Sequence, residues 1–491
     1  MPESLNQRVA NATRWSAMTE AVAKMVVPVT GMVLAHLLTP EAFGIVATLT
    51  MIITFAELFT DAGFQKYLIQ HDFENTLKKE KSTNVAFWSN LALSLTIWII
   101  IILFADPLAA MVGNPGLGNV LIIACASIPI NAFSSIQIAL FRRDLNFKAL
   151  FKVRFVGVIV PLVVTIPLAY FTRSFWALIF GTLSQNVVNA CLLNYHSSWR
   201  PKWFYSFSLL REMFGFTMWS MLEQLAIWLT TYIDVFIVGT MLSQYYLGLY
   251  KTSSTLVAQV MGLITATITP VLFSSLSKLQ KKPDDFTNMF FRFQKIVSIL
   301  VLPLGTFIFL FSDLITKYLL GEKWVDASGF IGLWGLTSGL AIVYSQYCSE
   351  VFRAIGKPKL SLLSQICYMF MLFPTVLCSV KYGFEVLYIS RSLIRVPAII
   401  IDMLFMMFFI RISFFSQVIN AMPALVASCA MILVCFLLKP VDISLIEGAF
   451  YAFLSLAIYF IIICLFRKDR IILCSLVQTA LAQVKNVRLS C

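Results

Sequence analysis

The sequence contains little charge for its length. Only 12% of its 491 residues are Asp, Glu, Lys or Arg, whereas a soluble domain typically carries about 25%. Hydrophobic residues make up 59% of the chain, and the mean hydropathy is +0.85. This balance excludes a soluble globular domain, a disordered chain and a nucleic-acid-binding protein. It indicates a protein that crosses a membrane many times.

The sequence also lacks the short motifs of zinc, disulfide and nucleotide sites. Its ten cysteines are scattered without a C-x-x-C pair, and its three histidines lie far apart, so we predict no metal site and no disulfide framework. No G-x-x-x-x-G-K-[ST] segment occurs, which excludes an ATPase of the P-loop kind, and no cofactor is predicted. The polar start is unlike a cleavable signal peptide, so we expect the first helix to stay in the mature protein.

What the sequence contains instead is a series of long apolar runs. A helix needs roughly 20 mostly apolar residues to cross about 30 Å of hydrocarbon. We predict fourteen such spans, at about 17–38, 43–64, 85–105, 119–140, 153–171, 175–195, 214–240, 247–276, 293–311, 329–352, 361–380, 385–410, 421–438 and 449–466.

Lysine and arginine are distributed unevenly between the two sides of the membrane. With the N-terminus placed inside, the inner segments hold 28 basic residues and the outer segments hold five. Because loops rich in Lys and Arg stay on the cytoplasmic side, we predict that both termini are cytoplasmic. The net charge of +13 then follows from topology and suits contact with anionic lipid headgroups.

The outer loops are too short to hold a catalytic domain. The longest, about 312–328, has 17 residues. A membrane enzyme that builds glycans outside the membrane often needs a larger outer domain. The sequence therefore favours a transporter, and we predict that the chain is not an enzyme.

Two pairs of short segments suggest an internal duplication. LLTPEAFGIV at 37–46 and MLSQYYLGLY at 241–250 share a Leu and a Gly six positions apart, with an offset of 204. Phe-Arg at 141–142 and at 352–353 is each followed by a Lys six positions after the Arg, with an offset of 211. We interpret these matches as two copies of a six-helix unit. Since six is even, the copies are parallel, which places a substrate site between them and suits a rocking type of alternating access.

These patterns predict the organisation of the whole chain. We expect an N-terminal six-helix lobe, a C-terminal six-helix lobe, two additional transmembrane helices outside the repeat and a cytoplasmic tail, at 1–200, 201–412, 413–466 and 467–491.

Charged residues inside the spans need a reason, because a charge at the centre of a membrane helix costs about 2.5–3.5 kcal/mol on insertion scales. Lys24 and Glu57 are predicted at a similar depth in spans 1 and 2, where they could pair. Asp61 lies in a shallower layer with Glu20. The structural alternative is that Lys24 extends to the interface and the acids pair or cap there.

Asp234 and Lys251 are predicted near the outer ends of spans 7 and 8. They could form a pair that closes the outer side, or a static salt bridge at the interface.

The two arginines of span 12 are the charged residues predicted to lie deepest in the membrane. Arg391 and Arg395 are four residues apart, and Arg395 is near mid-membrane. They need a water-filled cavity, an acidic partner or an anionic ligand. Arginine suits phosphate because its planar fork binds two oxygens at once. The alternative is a buried pair with Asp402 or Glu350.

Several of these segments resemble one known family. The run LLTPEAFG, with the flanking sequence of 34–70, is similar to the start of the Wzx-type oligosaccharide flippases, which belong to the multidrug/oligosaccharidyl-lipid/polysaccharide superfamily. ALFRRDLNFKAL, DVFIVGTMLSQYYLGLY and VFRAIGKPKL also resemble this family, at 139–150, 234–250 and 351–360. The likeness extends over about 10–410 and is greatest to the exporters of lipopolysaccharide and exopolysaccharide.

The resemblance implies an all-α polytopic fold of two six-helix lobes in a V around a central cavity. It implies transport of undecaprenyl-pyrophosphate-linked oligosaccharide across the bacterial inner membrane for O-antigen, capsule or exopolysaccharide synthesis. By role, Lys24, Arg391 and Arg395 would supply a cationic cavity. Candidates for coupling to H⁺ or Na⁺, or for gating, are Glu57, Asp61, Asp234, Lys251 and Asp402. The implied partners are the lipid-linked glycan, membrane lipids and the polysaccharide polymerase machinery, without nucleic acid.

Three other functions compete with this interpretation. A cation-coupled multidrug exporter of the same superfamily would be expected to have an acidic cavity. A glycan polymerase or ligase would be expected to have a sizeable outer loop. A scaffold protein would not need arginines at mid-membrane.

Overall fold

The structure, a computed structural model, describes residues 5–61, 63–438, 444–467, 469–474 and 478. No strand occurs within these ranges. The chain divides into two compact units, Met1–Lys251 and Thr252–Cys491. The domain boundaries at 200, 412 and 466 were drawn from the repeat and from hydropathy, and they stay predictions.

The described residues of the first unit form eleven α-helices and the start of a twelfth. They are α1 (Leu5–Leu37), α2 (Pro40–Asp61), α3 (Phe64–Gln70), α4 (Thr76–Leu103), α5 (Ala105–Met111), α6 (Gly118–Cys125), α7 (Ser127–Arg143), α8 (Phe147–Val160), α9 (Ile166–Thr172), α10 (Trp176–His196), α11 (Phe207–Met241) and α12 (Gln244–Lys278). A π-helical turn, Pro161–Thr165, joins α8 to α9.

The second unit begins within α12, and its described residues form nine further α-helices. They are α13 (Pro283–Leu310), α14 (Ser312–Ile315), α15 (Ser328–Ala341), α16 (Tyr347–Ala354), α17 (Pro358–Ser379), α18 (Phe384–Leu393), α19 (Arg395–Phe405), α20 (Phe414–Leu438) and α21 (Leu445–Leu465). A π-helical turn, Ile342–Gln346, joins α15 to α16.

The number of membrane spans agrees with the sequence. Thirteen helices among the described residues are long and apolar enough to cross a membrane, and a bent pair in α12, Gln244–Ala266 with Val271–Lys278, gives a fourteenth. The two parts of this pair meet at 44°. Pro270 lies in the break, and proline removes a helical hydrogen bond at such a point. The prediction of an all-α polytopic protein with about fourteen spans is confirmed.

Some helices extend beyond the apolar runs that predicted them. α4 begins at Thr76, nine residues before the predicted span, and α13 begins at Pro283, ten residues before. Hydropathy marks the part of a helix that lies in hydrocarbon, whereas the helix itself continues into the headgroup region. The polar connection at 65–84 also contains the short helix α3, which was not predicted.

The helix boundaries repeat with the offsets found in the sequence. α1 ends at Leu37 and α2 begins at Pro40, while α11 ends at Met241 and α12 begins at Gln244, so both pairs are separated by 204 positions. The end of α7 and the start of α8 likewise precede the end of α16 and the start of α17 by 211 positions. These equivalent corners agree with the predicted duplication.

Within the first unit, the two equivalent corners at offset 204 cross at their glycines. A Cβ atom on Gly44 would overlap the carbonyl oxygen of Gln244, and a Cβ atom on Gly248 would overlap that of Pro40. Each added Cβ would also lie 3.1 Å from the backbone nitrogen of the other glycine. We call these four residues the glycine crossing. The shared glycine of the repeat is therefore explained by direct backbone contact between α2 and α12, where only hydrogen side chains fit.

Polar contacts hold the last two helices against α13. Asn420 of α20 donates hydrogen bonds to the carbonyl of Phe291 at 2.9 Å and to the Gln294 side chain at 3.0 Å. Tyr459 of α21 donates to the carbonyl of Ile299 at 3.1 Å. The two helices outside the repeat thus pack within the second unit by specific hydrogen bonds.

A buried ion pair completes this attachment. Lys295 of α13 lies 3.3 Å from Asp469, and the two side chains are only 13% and 4% exposed. Removing one partner of a buried pair leaves an uncompensated charge, which costs about 3–5 kcal/mol. We expect Lys295→Met or Asp469→Leu alone to lower the midpoint of thermal unfolding of the purified protein clearly. The double variant should recover most of the loss, because apolar residues replace both charges.

Lys282→Met is the control for this prediction. Its pair with Asp285 spans 3.9 Å and is largely exposed, and such surface pairs contribute little. Single variants at 295 and 469 that unfold like the control would show that the pair does not hold the last helices in place.

Candidate functional site

The two arginines of the twelfth span lie on either side of a break in its helix. Arg391 is in the last turn of α18, and Arg395 is the first residue of α19. Pro397 has no N–H with which to continue the helix to the carbonyl of Leu393, and this accounts for the interruption at Ile394. The predicted helix face is therefore divided between two helices.

Both arginines nevertheless contact the same indole ring. The guanidinium carbon of Arg391 lies 4.8 Å from the centre of the Trp334 ring, and that of Arg395 lies 3.3 Å from it. Trp334 belongs to α15 and is buried, as is Arg391. We call these three residues the arginine–tryptophan stack. A tryptophan face attracts cations and favours guanidinium most, which helps to hold two like charges close together.

Hydrogen bonds fix the direction of each guanidinium. Arg391 donates to the hydroxyl of Tyr368 on α17 at 2.6 Å, and Arg395 donates to the hydroxyl of Ser338 on α15. These two hydrogen bonds orient the guanidiniums. The stack is chemically suited to an anion, because each guanidinium carries five donors in a planar fork.

Asp402 forms a separate polar cluster in the second unit, together with two serine hydroxyls. It is 5% exposed, and it accepts hydrogen bonds from the hydroxyls of Ser345 and Ser364. Ser345 belongs to the π-helical turn Ile342–Gln346. Such turns often occur at functional sites in helices. The geometry is that of a carboxylate held by two hydroxyls within the membrane.

In the first unit, Glu57 lines a cavity of about 680 Å³. Asn131 of α7 donates a hydrogen bond to its carboxylate at 2.7 Å. Asn90 of α4 donates to Ser135 of α7 at 2.6 Å on the same cavity wall. We call this space the polar cavity. It places a carboxylate of α2 among carboxamides and hydroxyls.

Asp234 and Lys251 have well-defined neighbours within the first unit. Asp234 is buried and accepts a 2.6 Å hydrogen bond from the hydroxyl of Tyr250 and a 2.8 Å hydrogen bond from the backbone N–H of Val235. The ammonium of Lys251 lies 5.1 Å from the centre of the Tyr232 ring. The predicted pair between Asp234 and Lys251 stays a prediction.

Lys24 and Asp61 are the remaining charged residues predicted for the site. Lys24 is half-buried in α1, and its pairing with Glu57 stays a prediction. The side chain of Asp61 lies outside the part of the chain that the structure describes.

Sequence reasoning missed the neutral partners of the charged residues. Trp334, Tyr368 and Ser338 come from other spans than the arginines they contact, and nothing in their own segments marks them. The hydroxyls that hold Asp402 are equally distant along the chain. One signal was available for Asn131: polar residues recur at 131, 134, 135 and 142 of one span, which is the spacing of a polar helix face.

Comparison with solved structures shows the class of fold. The lipid II flippase MurJ in an inward closed conformation matches with a TM-score of 0.76, 13% identity, and coverage of 93% of this chain and 99% of that chain. A multidrug resistance MATE family transporter of the MOP superfamily in an inward-facing conformation matches with a TM-score of 0.61 and 15% identity, over 79% and 94%. The chain is a multi-pass membrane protein with the fold of these transporters.

Comparison of sequences shows the family. The family described as polysaccharide biosynthesis protein matches residues 33–329, more than half of the chain. The chain belongs to this family, and the resemblance noted in its sequence is confirmed.

The curated relatives are distant and match over part of their length. The succinoglycan biosynthesis transport protein ExoT of Rhizobium meliloti is 21% identical over 66% of this chain, and the match spans 65% of ExoT, slightly under two thirds. An uncharacterized membrane protein in the cps region of Klebsiella pneumoniae is 22% identical over 66% of each chain. The lipopolysaccharide biosynthesis protein WzxC of Escherichia coli is 21% identical over 76% of this chain and 74% of WzxC.

Proposed function

We propose that this protein is a flippase that moves undecaprenyl-pyrophosphate-linked oligosaccharide repeat units across the bacterial inner membrane. The observation that carries the proposal is the arginine–tryptophan stack, near the middle of a span of a chain in the polysaccharide biosynthesis family. Arginines within a membrane span commonly mark substrate or ion pathways, and a pyrophosphate is an anion that guanidinium forks fit. The names of ExoT and WzxC support a role in exopolysaccharide or lipopolysaccharide synthesis.

The three parts of such a substrate have different requirements. The polyprenyl tail is apolar and stays in the bilayer, the pyrophosphate needs positive charge, and the glycan needs polar surroundings. Arg391 and Arg395 would bind the pyrophosphate, with Lys24 as a further cationic residue. The protein acts in this proposal as a transporter and not as an enzyme, with both termini in the cytoplasm and the polymerase machinery as its downstream partner.

Transport against a gradient also needs a source of energy, and we propose coupling to H⁺ or Na⁺. Asp402 is the best-supported candidate, because its carboxylate is buried and held by two hydroxyls that could equally ligate a cation or accompany a proton. Glu57, Asp61 and Asp234 are further candidates, and Lys251 would act with Asp234 in gating. Carboxylates inside a membrane commonly mark such pathways.

The proposal is tested in a strain that lacks this protein and has no redundant exporter. We expect lipid-linked repeat units to accumulate on the cytoplasmic leaflet and surface polysaccharide to be lost, with both restored by the wild-type chain. The leaflet is assigned from the accessibility of the glycan to periodate in membrane vesicles of each orientation. Normal export without the protein, together with a lost ability to extrude cationic dyes, would replace the proposal by a multidrug exporter.

A further inference from the structure

The polar cavity of the first unit has the size and position of a binding site. Its volume of about 680 Å³ lies within the range of ligand pockets, roughly 300–1,000 Å³. Helices α1, α2, α4, α7, α8, α10 and α11 contribute to its wall, and α3 contributes at one end. The cavity therefore lies inside the helix bundle and reaches the side that is predicted to be cytoplasmic.

The wall of the cavity is rich in neutral groups that both donate and accept hydrogen bonds. Carboxamides and hydroxyls contribute to it from several helices, including Thr54, Asn90, Asn131, Ser135 and Gln224. Such groups are expensive to bury in a membrane protein unless they meet hydrogen-bonding partners. Sugar hydroxyls also donate and accept, and they match this wall in kind.

The end of the cavity nearest the predicted cytoplasm is basic. Lys66 of α3, Arg142 at the end of α7 and Arg154 of α8 line it, and the side chains of the two arginines are exposed. Glu20 of α1 also lines the cavity, so at this end three basic side chains stand against one acidic side chain. Arg142 and Asn131 lie on α7 eleven residues apart, which is about 16 Å along the helix. The basic end and the neutral wall therefore lie one after the other along the axis of α7.

The helix that carries Lys66 is held firmly in place. The hydroxyl of Tyr67 donates a 2.9 Å hydrogen bond to Glu212. Arg143 donates to the carbonyls of Leu68 and His71, each at 2.7 Å. Burial raises the pKa of Tyr67 above its usual range, and the bond to Glu212 raises it further, so the hydroxyl keeps its proton and remains a donor. The basic end of the cavity is accordingly a built feature of the fold.

The carboxylate of Glu57 favours one orientation of a phosphorylated sugar in the cavity. It lies with Asn131 among the neutral groups, where a negative charge disfavours a phosphate. A phosphate is therefore favoured at the basic end, and the sugars that follow it are favoured along the wall.

We propose that the polar cavity is the first binding position of the lipid-linked glycan: Lys66, Arg142 and Arg154 hold the pyrophosphate and the neutral wall holds the first sugars, before the pyrophosphate moves to the arginine–tryptophan stack. This inference rests on the proposed function and adds to it a glycan subsite separate from the arginine–tryptophan stack. It places recognition of the sugar in the first unit.

The experiment measures binding to the purified full-length protein in lipid nanodiscs. The probes are the polyprenyl-pyrophosphate glycan extracted from the deletion strain and sugar-free undecaprenyl pyrophosphate. We expect the wild-type protein to bind the glycan probe about three- to tenfold more tightly, the effect of one or two hydrogen bonds to sugar. Gln224→Ala and Asn131→Leu should reduce this preference and leave the affinity for the sugar-free probe unchanged.

The basic end is tested with a matched pair of variants on α8. Arg154→Gln should weaken the binding of both probes by about tenfold, as expected for loss of a charge-assisted contact. Lys152→Gln, two residues away and outside the cavity lining, should weaken neither.

Among the variants of the neutral wall, Gln224→Ala is the one that disturbs the fold least, because that side chain is exposed.

The outcomes separate the subsite from the function. Equal affinity of the wild-type protein for both probes, or an unchanged sugar preference in Gln224→Ala and Asn131→Leu, would overturn the subsite and leave the flippase proposal standing. A protein that binds neither probe, or a deletion strain that accumulates no lipid-linked glycan, would overturn both.

Discussion

Replacing Gly44 or Gly248 by alanine is expected to remove most of the export activity and to lower the stability of the protein. The added Cβ atom would lie closer than 3.0 Å to a backbone carbonyl of the facing helix in either case. Overpacking typically costs about 1–3 kcal/mol, and more where the neighbour does not yield. Here the neighbour is backbone and no side-chain rotation relieves the overlap, so α2 and α12 must separate.

The measurement combines export in the complemented deletion strain with the thermal midpoint of the purified protein. Gly31→Ala is the matched control, because among the described residues no atom outside the neighbouring backbone of its own helix lies within 4 Å of the position that its Cβ would occupy. Alanine is favoured over glycine by about 1 kcal/mol inside helices, so this variant should be neutral or slightly more stable.

The effects of Gly44→Ala and Gly248→Ala are expected not to be additive. Both Cβ atoms enter the same contact, so the double variant should cost less than the sum of the single ones, as is usual for residues in contact. Additive effects, or wild-type export in both single variants, would show that α2 and α12 do not need this close approach.

The spans and the two equivalent corners could be predicted because they depend on local sequence. A run of apolar residues is required wherever a helix crosses hydrocarbon. The glycine of each corner can be recognised in the sequence because it stands six positions after a leucine. The sequence did not show why the glycine is there. That reason is a contact between two segments 204 positions apart, which no local pattern reveals.

The candidate site was predicted only for its charged members. Arg391, Arg395 and Asp402 were found because a charge in a membrane span is rare and costly. Their partners are Trp, Tyr and Ser, which are common in spans and carry no such cost. The interruption at Ile394 was also missed, although Pro397 was a signal for it. Charged residues can be identified directly from the sequence, whereas the packing that orients their side chains depends on the tertiary structure.

Replacing either arginine of the stack is expected to reduce export by about ten- to hundredfold. This is the effect of losing a hydrogen-bonded contact to a charged group, worth about 1.5–3 kcal/mol. Arg391→Gln and Arg395→Gln remove the charge. Arg395→Lys keeps the charge but loses the planar group that lies 3.3 Å above Trp334, so it should recover part of the activity only. Export is measured against the amount of protein in the membrane.

A purely structural role for the arginines predicts a different result. Arg391 is buried against Trp334 and Tyr368, so its loss could act through stability alone. The distinguishing measurement is the ratio of affinities for undecaprenyl pyrophosphate and undecaprenyl monophosphate. Guanidiniums that bind the pyrophosphate directly should make this ratio fall in both glutamine variants, because the substrate with more charge loses more. Arg353→Gln is the control, since Arg353 is exposed and pairs with Glu350 at 3.4 Å. An unchanged ratio with a lowered thermal midpoint would make the stack a packing element, and the anion site would have to lie elsewhere.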